Sequence, residues 1–153
     1  DPDDATPSSG EGPFFTKHSP ERTSFVDPGL AGTPMELSGR VLATDGRAVP
    51  RARLDFWHTD QAGEYDHAGY RCRGHQYADA DGRYVLRTIV PGAGGRPKHI
   101  HVKLAGNGRA LTTQLLFPED ARNGRDWPFD RRLLMKVADD GSGRKARFDF
   151  VLG

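Results

Sequence analysis

The chain of 153 residues sets 22 Lys and Arg against 21 Asp and Glu for a formal net charge of +1, distributed along its length with no basic stripe of the nucleic-acid-binding kind. Its length fits one domain, and 19 Gly and 11 Pro beside 35% hydrophobic residues point to short strands and many turns rather than long helices. The single cysteine, Cys72, excludes an internal disulfide and a CxxC site, so any metal must be held by His, carboxylate or phenolate. No apolar run approaches the roughly 20 residues of a membrane-spanning helix; a soluble protein is expected, cytoplasmic or secreted after removal of a signal.

Residues 1–34 read as an extended arm, rich in turn formers, with one apolar spot at Phe14 and Phe15. The arm is expected to pack across a core or on a partner subunit, and a homodimer is the expected assembly. Residues 35–153 are predicted to form a β-sandwich of mostly antiparallel strands. In 36–43, Leu37, Val41 and Ala43 alternate with polar positions, and Asp45-Gly46 follows as a hairpin turn. Residues 52–57 place Ala52, Leu54 and Phe56 on one face and Arg53, Asp55 and Trp57 on the other. An irregular stretch is expected from Tyr65 to Ala78, then a strand over 83–89 and a loop over 91–97. The run 98–105 alternates cleanly: Ile100, Val102 and Leu104 face one way, His99, His101 and Lys103 the other. Strands are predicted at 109–117 and 144–152, the latter with Ala146, Phe148, Phe150 and Leu152 in register. Residues 118–130 read as a surface loop, and 133–137 as a short helix or strand. Short strands at close turn spacing favour a sandwich.

Residues two apart on a strand share a face, so His99 and His101 can reach one metal ion; two exposed or hydrogen-bonded histidines are the alternative. Arg96-Pro97 supplies a stiff approach to that strand and a cation near any anionic substrate. Tyr65 follows the Gly63 turn, where a ligand is commonly placed, and a phenol becomes a phenolate at neutral pH only beside a strongly Lewis-acidic ion, ferric iron being the natural candidate. Gln114 can turn its amide to a cavity or to solvent, with solvent the default. Tyr70, Tyr77, Tyr84, His58, His67 and His75 have no spacing that selects them.

Taken together these residues resemble the intradiol ring-cleavage dioxygenases. The resemblance runs from Thr6-Pro7 and Glu11-Gly12-Pro13-Phe14-Phe15 through Leu37-Ser38-Gly39-Arg40-Val41, Ala52 to His58, Gly63-Glu64-Tyr65, Arg73-Gly74 and Asp79-Ala80-Asp81-Gly82. It continues in Thr88-Ile89-Val90-Pro91-Gly92, Arg96 to His101 and Thr113 to Phe117. It implies a β-sandwich that holds a ferric ion and cleaves a catechol between its two hydroxyl-bearing carbons with O2, so that a small aromatic diol and dioxygen are the implied partners. By the resemblance Tyr65, His99 and His101 are the metal ligands, Arg96 steadies negative charge on the substrate and Gln114 shapes the pocket. The chain departs from the family at one place: the axial tyrosine expected after Pro91-Gly92 is absent, the loop reading Pro91-Gly92-Ala93-Gly94-Gly95-Arg96. Water or hydroxide in room left by Gly94-Gly95, Tyr70 or Tyr77 swinging in, or altered chemistry are the three expected outcomes. An imidazole-rich site of this kind also accepts ferrous iron, copper or zinc. A diverged metalloenzyme on the same scaffold and a non-catalytic, transthyretin-like binding module are the competing readings.

Overall fold

Alternation governs the strands. In β1 (Pro34–Ala43) Met35, Leu37, Gly39 and Val41 are buried and the residues between them are not, the period of two of a strand with one face on a core. The structure, a computed structural model, describes residues 5–125 and 129–153; the first four residues of the expected arm and residues 126–128 of the expected 118–130 loop lie outside them. Eight further strands follow among the described residues: β2 (Arg53–Trp57), β3 (Arg73–Tyr77), β4 (Arg83–Ile89), β5 (His99–Gly106), β6 (Arg109–Leu116), β7 (Lys136–Asp139), β8 (Arg144–Arg147) and β9 (Phe150–Leu152).

Two sheets result. One has the order β4-β1-β8-β7, with β9 also paired to β1; the other has the order β3-β2-β5-β6 and is antiparallel throughout. Leu37, Val41, Leu86, Ala146 and Phe150 from the first sheet join Leu54, Phe56, Ile100, Val102, Leu104 and Leu115 from the second in one apolar core. This is the β-sandwich that the alternation and turn spacing predict. No helix of the described residues is long and apolar enough to cross a membrane.

Three local expectations are corrected and one left open is resolved. The Asp45-Gly46 turn forms, with Gly46 N–H donating to Ala43 and a single bridge between Leu42 and Ala48, but β1 and β2 do not make a hairpin. The chain crosses through buried Val49 and Ala52 into the other sheet, because β1 and β2 each need their apolar face opposed rather than placed side by side. The stretch expected to be irregular to Ala78 contains β3, whose buried residues are Arg73, Gly74 and Gln76, so it carries no apolar alternation to read. The strand expected over 144–152 is broken at Phe148 and Asp149. There the Phe148 carbonyl accepts from the Tyr84 hydroxyl at 2.6 Å and Asp149 Oδ1 accepts from Arg40 N–H at 2.9 Å; the buried alternation of Ala146, Phe148, Phe150 and Leu152 persists across the break. The undecided stretch 133–137 divides between a 3-10 turn, Arg131–Leu133, capped by Asp130, and the start of β7.

Residues 5–33 wrap the second sheet. Thr6 N–H donates to Val151 and Ser9 N–H to Thr112, fastening the segment at the seam between β9 and β6. It then crosses the outer face, where Glu11 pairs with Lys103, Phe15 packs on Trp57 at 4.9 Å and Ser19 donates to Asp55 at 2.9 Å. Past this point it bridges β3 at Glu21–His75 and β4 at Ser24–Arg87, and Phe25 enters the core. The outer face of the second sheet is thereby covered rather than left to solvent.

Candidate metal centre

The covered face is where β5 turns its histidines. Register sets His101 between Trp57 on β2 and Gln114 on β6, with Arg73 of β3 beyond Trp57, so one row across the sheet reads Arg73, Trp57, His101, Gln114. His99 joins the same face two residues away. Tyr65 comes from the segment after β2, whose turns are fixed by carboxylates: Asp60 accepts from the N–H groups of Ala62 and Glu64, and Asp66 from those of Ala68, Gly69 and Arg71.

These elements bring three ligand-type atoms together. The Tyr65 hydroxyl lies 3.0 Å from His101 Nε2 and 3.2 Å from His99 Nε2, and the two Nε2 atoms are 3.1 Å apart. The Pro97 carbonyl, which can only accept, is 2.7 Å from His99 Nδ1; Nδ1 therefore carries the proton and Nε2 presents a lone pair to the cluster. His101 lies flat against Trp57, 4.7 Å between ring centroids at 5°, and its Nδ1 has no hydrogen-bond partner among the described residues. Burial, then the neighbouring His99 and Arg96, holds His101 down to about 2, so the ring is neutral. Burial raises the Tyr65 phenol, opposed by the guanidinium groups of Arg96 and Arg73.

Two imidazoles and one phenol offer a cation nitrogen and oxygen ligands of the right chemistry. Their mutual spacing of 3.0–3.2 Å is compatible with all three holding one small first-row ion, whose bonds to such ligands are roughly 2.0–2.2 Å. The residues present fit one metal ion. Among the described residues no group of three or more His, Cys, Asp and Glu meets, and the phenol is what completes this set.

Arg96 and Gln114 also come to the cluster. Arg96 donates to Gln114 Oε1 at 2.9 Å and reaches within 3.5 Å of His99 Nε2, while Gln114 Nε2 donates to the Gly10 carbonyl at 2.7 Å. Gln114 is 3% exposed, against the solvent-facing default. The cleft above the cluster holds about 150 Å³ and is walled by Gly12, Pro13, Phe14, Thr59, Gly63, Ala93 and Gly94 besides Arg96 and the triad. A larger hollow of about 680 Å³, lined by Arg22, Asp27, Asp60, Tyr70 and Arg71 among others, contains none of these ligands.

The loop 91–96 does not simply leave space. A Cβ at Gly94 would stand 2.8 Å from the Gly63 carbonyl, and only Gly95 faces an opening, with nothing within 4 Å. Tyr70 donates its hydroxyl to the Lys17 carbonyl at 3.0 Å, Tyr77 is 45% exposed beside His75 on the β3 edge, and Tyr84 is buried against Phe148. Tyr65 is thus the one tyrosine at the cluster. His58 is in the interior, His75 meets Ser19, and His67 sits edge-on to Phe14. Sequence reasoning gave no role to Trp57 or Arg73. Trp57 could have been found from strand parity, since it shares a face with Asp55 and not with Phe56; Arg73 had no such signal, because β3 was not legible.

The fold and the cluster define the class of protein: a β-sandwich whose polar site lies on the outer face of one sheet, under an N-terminal segment. The sequence pattern of a family described as Dioxygenase matches residues 10–95. The dioxygenase domain of a dioxygenase–carbohydrate-binding protein fusion from Streptomyces sp. SirexAA-E is 49% identical, with 97% of this chain and 98% of that one covered and a TM-score of 0.94. Hydroxyquinol 1,2-dioxygenase of Nocardioides simplex is 30% identical over 97% of this chain and 65% of its own length, and catechol 1,2-dioxygenase of Acinetobacter baylyi is 28% identical over 85% and 52%. The chain belongs to the intradiol ring-cleavage dioxygenase family, and it spans about half to two thirds of the length of these two curated relatives.

Proposed function

We propose that the chain holds a single ferric ion through Tyr65, His99 and His101 and uses O2 to cleave a catechol-type ring between its two hydroxyl-bearing carbons, both oxygen atoms entering a muconate-type diacid. The observation that carries this is the convergence of the phenol oxygen and two imidazole nitrogens within 3.0–3.2 Å of one another, at the floor of a cleft. When bound, the ion supplies Lewis acidity toward the diol oxygens and the redox activity that the reaction with dioxygen requires. Ferrous iron, copper and zinc are alternatives that the same donors accept.

The chain's own residues do the rest. The Pro97 carbonyl fixes the tautomer and ring orientation of His99, and Trp57 does the same for the plane of His101. Arg96 stands beside the ligands as the fixed cation for negative charge on the ring, and Gln114, anchored to the Gly10 carbonyl, holds its guanidinium in place. Gly12, Pro13 and Phe14 roof the cleft and limit water.

Metal analysis with a visible spectrum tests the proposal. Purified protein is expected to contain one equivalent of iron and a phenolate-to-iron absorption band, lost in Tyr65→Phe, with oxygen uptake on adding catechol or hydroxyquinol. Folded, colourless protein that takes up no iron would end this reading. The absence of a second tyrosine at the cluster is the one observation favouring the second, a diverged metalloenzyme; metal content with turnover of a non-catechol substrate and no oxygen uptake would select it.

A further inference from the structure

Arg73 is a buried guanidinium for which the described residues provide little. It is 2% exposed, its Nε donates to the Asp66 carbonyl at 3.1 Å, and its Nη1 is buried with no hydrogen-bond partner. Asp66 and Asp55 favour its charge from nearby, but neither forms an ion pair with it: Asp66 accepts from three backbone N–H groups, and Asp55 accepts from Ser19 and pairs with Arg53. A charge held this way is costly unless an opposite charge faces it.

What faces it is Tyr65. The guanidinium carbon lies 5.8 Å from the centre of the Tyr65 ring, and Arg73 pairs across the sheet with Trp57, on which His101 stacks. A neutral phenol presents only its π face to that cation, a weak partner. A metal-bound phenolate presents negative charge from a half-buried ring across the same few ångströms, while a metal ion would be held at its hydroxyl, beyond the ring. Arg96 lies at the cleft side of the same triad and is held by Gln114, so Arg73 is the cation on the sheet side.

We propose that Arg73 is a positioning residue for the metal centre: it is preset to balance the charge of Tyr65 when that residue ligates a metal ion, and so tunes the energy of the phenolate. The inference rests on the proposed metal role of Tyr65, His99 and His101. It is distinct from the role of Arg96, because Arg73 is walled off from the cleft and touches no substrate.

The metal-free and iron-loaded states give separate readouts, which makes the test specific. In metal-free protein, Arg73→Met removes an ill-compensated buried charge at similar volume, and its thermal midpoint is expected to match or exceed that of the wild type. In the iron-loaded protein the same change is expected to move the phenolate-to-iron band to lower energy, since the donor loses its stabilising cation. Arg73→Lys, which keeps the charge without the planar fork, should recover most of the band position. If Arg73→Met does not fold, Arg73→Gln serves as the neutral variant, with the same outcomes expected. A wild type that binds iron and shows the band, with neutral variants unchanged in band position, overturns this inference alone. A wild type that binds no metal ion overturns it together with the reading on which it rests. A variant that loses stability equally with and without iron reduces Arg73 to a packing residue and also overturns the proposal.

Discussion

His58 shows how far the protein commits a polar residue to its interior. Its Nδ1 is 2.6 Å from the Thr59 carbonyl and must donate, so its Nε2 accepts from the Thr88 hydroxyl at 2.7 Å. Burial holds the ring down to about 4 from its ordinary 6.5. The native state thus binds fewer protons than the unfolded chain between those values, so the stability that His58 contributes is complete above pH 6.5 and is lost as the pH falls toward 4. Urea titrations should show the stability gap between wild type and His58→Gln narrowing by about 3 kcal/mol from pH 7.5 to pH 4; a gap independent of pH would refute the assignment. Arg96 belongs to the same scale. Arg96→Met should lower kcat/KM for a catechol about 10²- to 10³-fold while leaving the thermal midpoint nearly unchanged, read by steady-state oxygen uptake beside a melting curve. The shared face of His99 and His101 could be read from strand parity alone. His58 could not, because one histidine in a strand-to-loop junction looks the same whether it faces solvent or the core.

Among the elements, the N-terminal segment does most to make the site. It carries the roof residues Gly12, Pro13 and Phe14, and it places Phe15 on Trp57, which supports His101. Phe15→Ala should cost about 1–2 kcal/mol of stability, the loss of one partly buried aromatic contact. It should also shift tryptophan emission to the red as Trp57 gains water; unchanged emission would show that this packing does not shield it. Strand β1 is constrained at Gly39, where any Cβ would collide with the Phe148 carbonyl at the break between β8 and β9. Gly39→Ala should therefore destabilise the protein by about 3 kcal/mol or more in chemical denaturation, because the obstacle is backbone and cannot rotate away. Apolar alternation made β1, β2, β4, β5 and β6 legible. It failed for β3, whose inward and outward positions are filled by Arg73, Gly74, His75 and Gln76 rather than by apolar and polar residues in turn.

For the whole molecule, metal binding and folding should be coupled, since the triad joins a turn segment to β5 and is roofed by the N-terminal segment. An ion at 100 times its dissociation constant should stabilise the protein by about 2.7 kcal/mol, measured as a rise in thermal midpoint that is reversed by a chelator and absent from His99→Ala. The sequence by itself determined the fold class and the two imidazoles on one side of β5, because a period of two is a local property that every residue in the strand votes on. It also limited the phenol to four tyrosines. The resemblance singled out Tyr65 among them, but only the tertiary structure decided that its hydroxyl reaches the histidines, that the residues before β1 cover them, and that a buried arginine from an unforeseen strand stands behind the phenol. Those facts depend on which strands lie side by side and where a turn returns across the sheet, and such pairings between distant residues leave no periodic trace along the chain.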